Sequence, residues 1–306
     1  MSPNTAIKSH EAPYSPLAKA DPTSSAFVVT GRGAIAFAPG VSLVFAAGAV
    51  ALSGPISFDA DNAAPGTDFM IFAHADGGGL ALAKGKEPEA SGWVVVGGFH
   101  YAPGGNAAGT GGGDTTPAIN PYSCWDLNFR PACDDPSGMA LVNGAFWCDI
   151  YLLNAQHRDN GCTSVFGEII ADGKDTPQRI DDGVHTDLNF ETAKGIYAAY
   201  GKQLLGAEEF FAAAYGVTEK TAAGTDPKQT QLDAPRTSRF GIMQATGNMW
   251  TWGTDGHPDI PRASFFGGSW ISGSCAGSRY ASLDYWPELS GGDVGARGRS
   301  DHLNHG

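Results

Sequence analysis

Apolar positions in the first third of the chain come in short runs. Ala26–Thr30, Ala34–Phe37, Val41–Phe45 and Phe69–Ala73 are rich in β-branched or aromatic residues, with Gly and Pro between them, and Trp93–Val96 closes the series. Such runs predict strands, and their spacing predicts a small all-β, sandwich-like domain over residues 23–118. Residues 1–22, with several prolines, Ser, Thr and mixed charge, read as a flexible arm or linker. The Gly-rich stretch 103–116 reads as a loop.

A different pattern follows. Cys124–Phe129 and Ala145–Leu153 read as strands around a turn at Asp134–Gly138, and residues 171–187 as a polar loop. Phe190, Ala193, Ile196, Tyr197 and Tyr200 repeat at helical spacing, with Asn189 or Asp187 placed to cap the start. Ala207, Phe210, Phe211 and Ala214 repeat the same way, and Gly216 stands where a left-handed terminator is wanted. No helix-length pattern appears after Gly216. The expectation for residues 119–306 is therefore an α+β domain, two helices against an irregular, loop-rich sheet.

Composition narrows the function. The chain has 306 residues with Lys+Arg 19, Asp+Glu 32 and a formal net charge of −13. An acidic surface argues against nucleic acid, which calls for clustered Lys and Arg, and against anionic lipid. Charged residues are only 17% and Gly numbers 43, yet 7 Trp, 16 Phe and 9 Tyr are present. That balance excludes disorder and suits a β-rich protein that assembles. The most apolar stretch, Val41–Leu52, is interrupted by Gly48 and does not predict membrane insertion. Met1–Ala20 has no apolar run of signal-peptide type, so the expectation is cytoplasmic synthesis without signal-directed export.

Catalytic and metal signals are weak. Cys124, Cys133, Cys148, Cys162 and Cys275 form no CxxC pair and match no zinc spacing. They read as mostly buried thiols of a reducing compartment, with a bridge such as Cys124–Cys148 as the alternative. His302 and His305 could share a helical face around a metal, but read as an exposed tail. The pairs Asp134–Asp135 and Asp181–Asp182 read as solvated turns, with Ca2+ binding as the alternative. No Gly-x-Ser-x-Gly elbow is present.

Ordered motifs carry more information. GKQLLGAEEFFAAAYG (201–216) is followed by TGNMWTW (246–252), FFGGSW (265–270), SGSCAGSR (272–279) and VGARGRSDHL (294–303). In this order they resemble the formylglycine-generating-enzyme type of C-type lectin fold, over roughly residues 120–306. Trp250, Trp252 and Trp270 read as core, and Gly247, Gly267 and Gly268 as tight backbone positions. The catalytic branches of that fold do not fit. Formylglycine-forming enzymes use a pair of reactive cysteines near the C-terminal end, where this chain has Cys275 alone. Iron-dependent sulfoxide synthases need a His-x3-His-x-Glu triad that is absent from the sequence.

A second resemblance reaches further. VGGFHYAPGGNAAG (96–109), INPYSCWDLNFRPA (119–132), DPSGMALVNGAFWCDIYLL (135–153) and the C-terminal motifs are similar to those of the phage tropism determinants. These are tail-fibre-tip receptor-binding proteins diversified by a diversity-generating retroelement. The likeness runs from about Ala26 to the C-terminus. It implies a rigid C-type lectin scaffold with a variable region at about 262–306. Aligned on the FGG and GARG anchors, the variable, ligand-binding positions are Ser269, Ile271, Ser272, Cys275, Ser282, Asp284, Tyr285, Leu289, Gly291 and Asp293, with Tyr280 and Val294 at the margins. Trp250, Trp252, Trp270, Arg279 and Arg297 fall on the scaffold. Adenine-directed mutagenesis of an Asn codon yields residues of the types found and cannot yield Trp, Glu, Lys, Gln or Met, which these positions lack. Independently, Ile271, Leu283, Tyr285, Trp286 and Leu289 are interleaved with Ser, Gly and Asp without strict alternation, a composition suited to a binding patch.

The resemblance implies a hypervariable receptor-binding protein without catalysis, displayed as a homotrimer on the virion tail tip or a prophage-derived particle. It would bind a bacterial surface protein or glycan and attach to a tail or fibre protein through its N-terminal region. The family's N-terminal β-prism has no counterpart in the residues before Ala26, which leaves the mode of attachment open. No cofactor is implied, and a structural Ca2+ or Mg2+ ion is left open. The alternatives are a formylglycine-generating-type enzyme and a constant structural tail or adhesin protein.

Overall fold

The computed structural model describes residues 17–45, 48–51, 55–57, 63–74, 80–84, 92–257 and 262–303. It is mostly sheet, with few helices. Predicted residues 1–16 and His305 lie outside the described residues.

The first half is built on one long strand. Trp93–Ala102 pairs antiparallel with Thr67–His74, setting Phe69 against Phe99 and Ile71 against Gly97. Leu80–Lys84 adds on the far side of Thr67–His74, while Ala118–Ile119 and Trp125–Asp126 both pair with Trp93–Ala102. The central strand continues past Val96, where the sequence pattern ends, through Gly97 and Gly98. A Cβ on Gly97 would lie 2.3 Å from the Phe27 ring, and one on Gly98 2.8 Å from the Trp125 indole. The two glycines are thus points of close approach inside a strand and do not break it. Two three-stranded sheets complete this half: Phe27–Gly31, Ala34–Phe37 and Pro55–Ser57 in one, Leu17–Ala18, Ser42–Phe45 and Gly48–Ala51 in the other. Phe27, Ile35, Leu43, Phe69, Ile71, Val96 and Phe99 share one core.

The expected arm at residues 1–22 needs correction from Leu17 onward. Leu17 pairs with Leu43 and is buried in that core. The Lys19 ammonium lies 2.8 Å from the buried Asp126 carboxylate, which also accepts from the Ala26 amide at 2.7 Å. Alternating charge and proline concealed a segment that is tied down by one apolar side chain and one buried ion pair.

The second half holds two four-stranded sheets. In one, Met139–Val142, Phe146–Asp149, Gly298–Asp301 and Gln203–Leu204 are neighbours in that order. In the other the order is Ala281–Tyr285, Ala263–Phe266, Trp250–Gly253 and Val294–Gly295, the last pair parallel. Asn189 caps the helix Phe190–Ala199 by accepting from the Thr192 amide at 2.9 Å. The helix Ala207–Ala213 starts where the Glu209 carboxylate accepts from the Gly206 amide at 2.9 Å, and Gly216 (φ 105°) turns the chain after it. The predicted strand Cys124–Phe129 shortens to Trp125–Asp126. The chain then reverses, with Asp126 Oδ1 accepting from the Asn128 amide at 2.8 Å. Ala145–Leu153 contributes a strand only over Phe146–Asp149. The halves are stitched by Asn120 Nδ2 donating to the Phe240 carbonyl at 2.9 Å and by the Gly138 amide donating to Asp68 at 3.0 Å.

Candidate surface site on a locked scaffold

The C-terminal motifs divide into buried anchors and an exposed edge. Trp252 is fully buried, donates its indole N–H to the Leu188 carbonyl at 2.9 Å and packs its ring 4.1 Å from that of Phe265. Beyond Phe266 the chain turns through Gly267 (φ 87°) and Gly268 (φ 79°). A Cβ on Gly268 would stand 2.7 Å from the Cys275 carbonyl, so this turn and the 272–276 loop fit only without a side chain there. Arg297 is buried under the same frame. Its guanidinium donates to the Asp149 and Ile150 carbonyls at 2.8 and 2.7 Å, and to that of Met243 at 2.7 Å. Burial lowers its pKa. Lys202 and Asp149 form a second buried pair at 2.6 Å, with Thr163 Oγ1 2.9 Å from the ammonium. Burial opposes the lysine's charge, but Asp149 and two nearby thiols raise its pKa overall.

The edge strand Ala281–Tyr285 behaves differently. It pairs Phe265 with Ser282 and Ala263 with Tyr285, so three steps on the edge strand oppose two on its neighbour. The bulge breaks strict alternation and leaves adjacent Leu283 and Asp284 both exposed. Tyr285 instead rests its ring 4.3 Å from Phe265. Trp286 is 59% exposed, and the Arg262 guanidinium lies 3.3 Å over its ring while pairing with Asp284 at 2.9 Å. The result is a flat platform of indole, guanidinium and carboxylate at the end of the strand.

The twelve positions expected to bind ligand do not share one environment. Ile271 (63% exposed), Cys275 and Asp284 are exposed, and Ser272, Tyr280, Ser282, Tyr285, Leu289, Gly291 and Asp293 are half-buried. Two are corrected. Ser269 is fully buried, its amide bonded to Ser272 Oγ at 2.9 Å and its hydroxyl to Asp293 Oδ2 at 3.0 Å. Val294 is buried in the Trp252 core. Neither can touch a ligand on this surface; both brace the loop. Asp293 has a bracing role as well, its carbonyl accepting from the Trp250 amide at 2.9 Å. Leu289 packs against the same core.

The scaffold positions also divide. Trp252 and Arg297 are buried, while Trp250 and Trp270 are half-buried. Arg279 is exposed and lines a cleft. Leu283, Trp286 and Arg262 were not among the aligned positions. Leu283 and Trp286 carried a signal nonetheless, as large apolar residues out of period in a stretch rich in Gly and Ser.

The remaining chemistry is structural. All five cysteines are free thiols, so the alternative Cys124–Cys148 bridge is not formed. Cys124, Cys133, Cys148 and Cys162 are buried, and burial raises the Cys124 and Cys148 pKa to about 12. Cys275 alone is exposed. His302 is no exposed tail, since it accepts from the Trp147 indole at 2.9 Å and its ring lies 4.7 Å from that of Phe129. Asp181 pairs with Arg179 at 3.0 Å and Asp182 with Arg158 at 3.6 Å. Among the described residues no three His, Cys, Asp or Glu side chains gather as metal ligands.

Comparison with known proteins places this architecture. Residues 20–126 match the family described as the Mtd second domain. The tail fiber receptor-binding protein of Bordetella phage BPP-1 is 37% identical over 336 residues, covering 94% of this chain and 87% of that protein. Solved structures of the Major Tropism Determinant U1 and P3c variants superpose with a TM-score of 0.88 each, at 35% identity, over 94% of this chain and 86% of theirs. Sequence, fold and coverage agree, and the chain belongs to the Major Tropism Determinant family.

Proposed function

We propose that this protein is a receptor-binding protein of a phage tail tip or prophage-derived particle, and that it works without catalysis. Its ligand is a bacterial surface protein or glycan. The carrying observation is the grouping of exposed Ile271, Leu283 and Trp286 within one short segment whose neighbours Gly268, Ser269 and Arg297 are locked. Apolar and aromatic side chains held in water on a rigid frame are the usual anchors of a protein interface. The order of motifs supports a C-type lectin fold for residues 119–306 and a separate β-rich domain before it. Display as a homotrimer, joined to the tail through the N-terminal region, would turn a weak single contact into a strong one. The residue types at Ile271, Ser272, Cys275, Tyr280, Ser282 and Asp284 support diversification by a retroelement.

Two experiments test the reading. Purified protein should bind surface-exposed cells of its host, and the triple variant I271A/L283A/W286A should lose at least ~10-fold in affinity, since anchors of this kind each contribute about 1–2 kcal/mol. Unchanged binding by the folded variant would remove this face from the mechanism. Sequencing the gene across sibling clones should find substitutions confined to the exposed and half-buried positions above, beside a near-copy repeat and a reverse transcriptase gene. A uniform gene without a repeat would leave a fixed binder.

A further inference from the structure

A cleft of about 490 Å³ opens between the Ala207–Ala213 helix, the turn at Asn143 and the Arg239–Phe240 loop, with Arg279 among its walls. Glu208, Phe211 and Tyr215 follow one another at helical spacing and line it from one side. Tyr215 is 41% exposed, a large ring left in water. Phe240 lies behind them, stacked edge-on against Tyr122.

The two arginines set this cleft apart. Every other arginine of the chain has a partner for its guanidinium. Arg32 and Arg130 donate to backbone carbonyls, and Arg297 is ringed by them. Arg158, Arg179, Arg236, Arg262 and Arg299 pair with carboxylates. Arg239 and Arg279 are exposed and have no hydrogen bond or ion pair through the guanidinium among the described residues. In a chain of net charge −13, carboxylates to neutralise them are plentiful elsewhere on the surface. Yet Glu208, on the same cleft, forms no ion pair with either arginine.

We propose that this cleft binds a sugar ring carrying one carboxylate, a uronic-acid-type unit of a glycan. Two guanidinium forks and one carboxylate leave the walls with a single net positive charge, which matches a monoanion. A guanidinium fork takes a carboxylate through two parallel N–H donors. Glu208 accepts from ring hydroxyls, and the Asn143 amide can donate or accept there. Phe211 and Tyr215 offer apolar ring surface for the C–H face of the sugar, the mixture of aromatic wall and few polar groups typical of small-ligand sites. Ile271, Leu283 and Trp286 do not line this cleft, and the proposal does not rest on their role.

The test is titration of the full-length protein with galacturonate, galactose, acetate and inorganic phosphate, followed by saturation-transfer NMR and calorimetry. The variants are R239A/R279A and Y215A, with thermal melting as the fold control and sedimentation as the assembly control. Saturable galacturonate binding, at least ~10-fold stronger than galactose or acetate, lost in R239A/R279A and weakened severalfold in Y215A, is the expected result. Equal binding of acetate, phosphate and galacturonate would reduce the cleft to an anion site and overturn the sugar assignment. Loss of self-association in R239A/R279A, with no ligand bound by the parent, would assign the arginines to a second copy of the chain and overturn it too. No binding of any probe with assembly unchanged would also overturn it.

Discussion

Trp252 and Trp286 belong to the same corner of the molecule and are held in opposite ways. Trp252 is enclosed on all sides and bonded through its indole N–H to the Leu188 carbonyl. Trp286 stands largely in water, with the Arg262 guanidinium laid across its ring. The same contrast runs through the whole C-terminal segment. Gly267 and Gly268 are fixed by backbone geometry, Ser269 by its bond to the Asp293 carboxylate, Val294 by burial and Arg297 by bonds to main-chain carbonyls. Ile271, Leu283 and Asp284 project from that frame and hold little of it together. Main-chain partners constrain a residue's identity tightly, because each buried carbonyl left unpaired costs about 1–3 kcal/mol. Exposed side chains are constrained loosely, since surface substitutions usually shift stability by no more than about 0.5 kcal/mol. One sheet can thus carry a rigid interior and an interchangeable surface.

The contrast breaks most visibly at Arg297. R297A would remove a buried donor from the Asp149, Ile150 and Met243 carbonyls, of which Ile150 keeps the Met243 amide, and leave a cavity. The expected loss is at least about 3 kcal/mol, or a fall of roughly 5 °C in Tm for a chain of 306 residues. R297K should fare little better, because a point charge cannot reach the same carbonyls as a planar fork. Differential scanning calorimetry decides this, and a Tm within a degree or two of the parent would show that the buried arginine is dispensable.

Acid attacks the same interior from another side. His157 is fully buried, with its ring nitrogens 3.0 Å from the Tyr200 hydroxyl and 2.7 Å from the Gln178 carbonyl. Burial lowers its pKa from 6.5 to about 4, against a smaller opposing pull from that carbonyl. Its folded pKa lies below the unfolded one, so the unfolded chain takes up the proton first. The contribution to stability is complete above pH 6.5 and is lost as pH falls through 4. The sum across that window is about 3 kcal/mol. Urea denaturation at several pH values should show the decline, and H157Q should flatten it; an unchanged slope in H157Q would assign the acid sensitivity elsewhere.

Gly268 is the next test, smaller because it involves one methyl group. G268A places a Cβ 2.7 Å from the Cys275 carbonyl in a backbone already at φ 79°. The expected cost is about 1–3 kcal/mol. G273A, also at positive φ but with open space around its Cβ, should cost less. Equal effects of the two variants would mean that the dihedral, and not the close approach, dictates glycine at Gly268.

Much of this frame could be read before any coordinates. Ala34–Phe37 is a strand at the bounds its apolar run predicts, and Asn189 caps its helix because the side-chain oxygen reaches an otherwise orphan amide. What escaped the pattern depended on contacts distant in sequence. Gly97 and Gly98 looked like a break because nothing local reveals the Phe27 and Trp125 rings that fill the space above them. Lys19 looked like part of an arm because its partner Asp126 is remote in sequence. In the candidate site, anchors on either side located the exposed segment but could not sort it. Ser269 and Val294 were grouped with surface positions because alignment carries no burial. The bulge that turns Leu283 and Asp284 outward together has no residue signature of its own.

The smallest expected effect is the most informative about the surface. Asp284 is 71% exposed along its side chain, so its end of the pair with the mostly buried Arg262 is screened by water and salt. Exposed pairs contribute about 0–1 kcal/mol. D284N should therefore leave the Tm almost unchanged, and L283A should do the same, because Leu283 is half in solvent and at the free edge of its sheet. W286A removes the ring beneath Arg262 and should cost at most about 1 kcal/mol, the range of a partly exposed cation–π contact. The three substitutions combined should melt close to the parent, since no main-chain group loses a partner and no cavity forms. A combined loss of several kcal/mol would mean that the edge strand is part of the fold's foundation, and a surface that cannot vary without unfolding cannot serve as an interchangeable binding face.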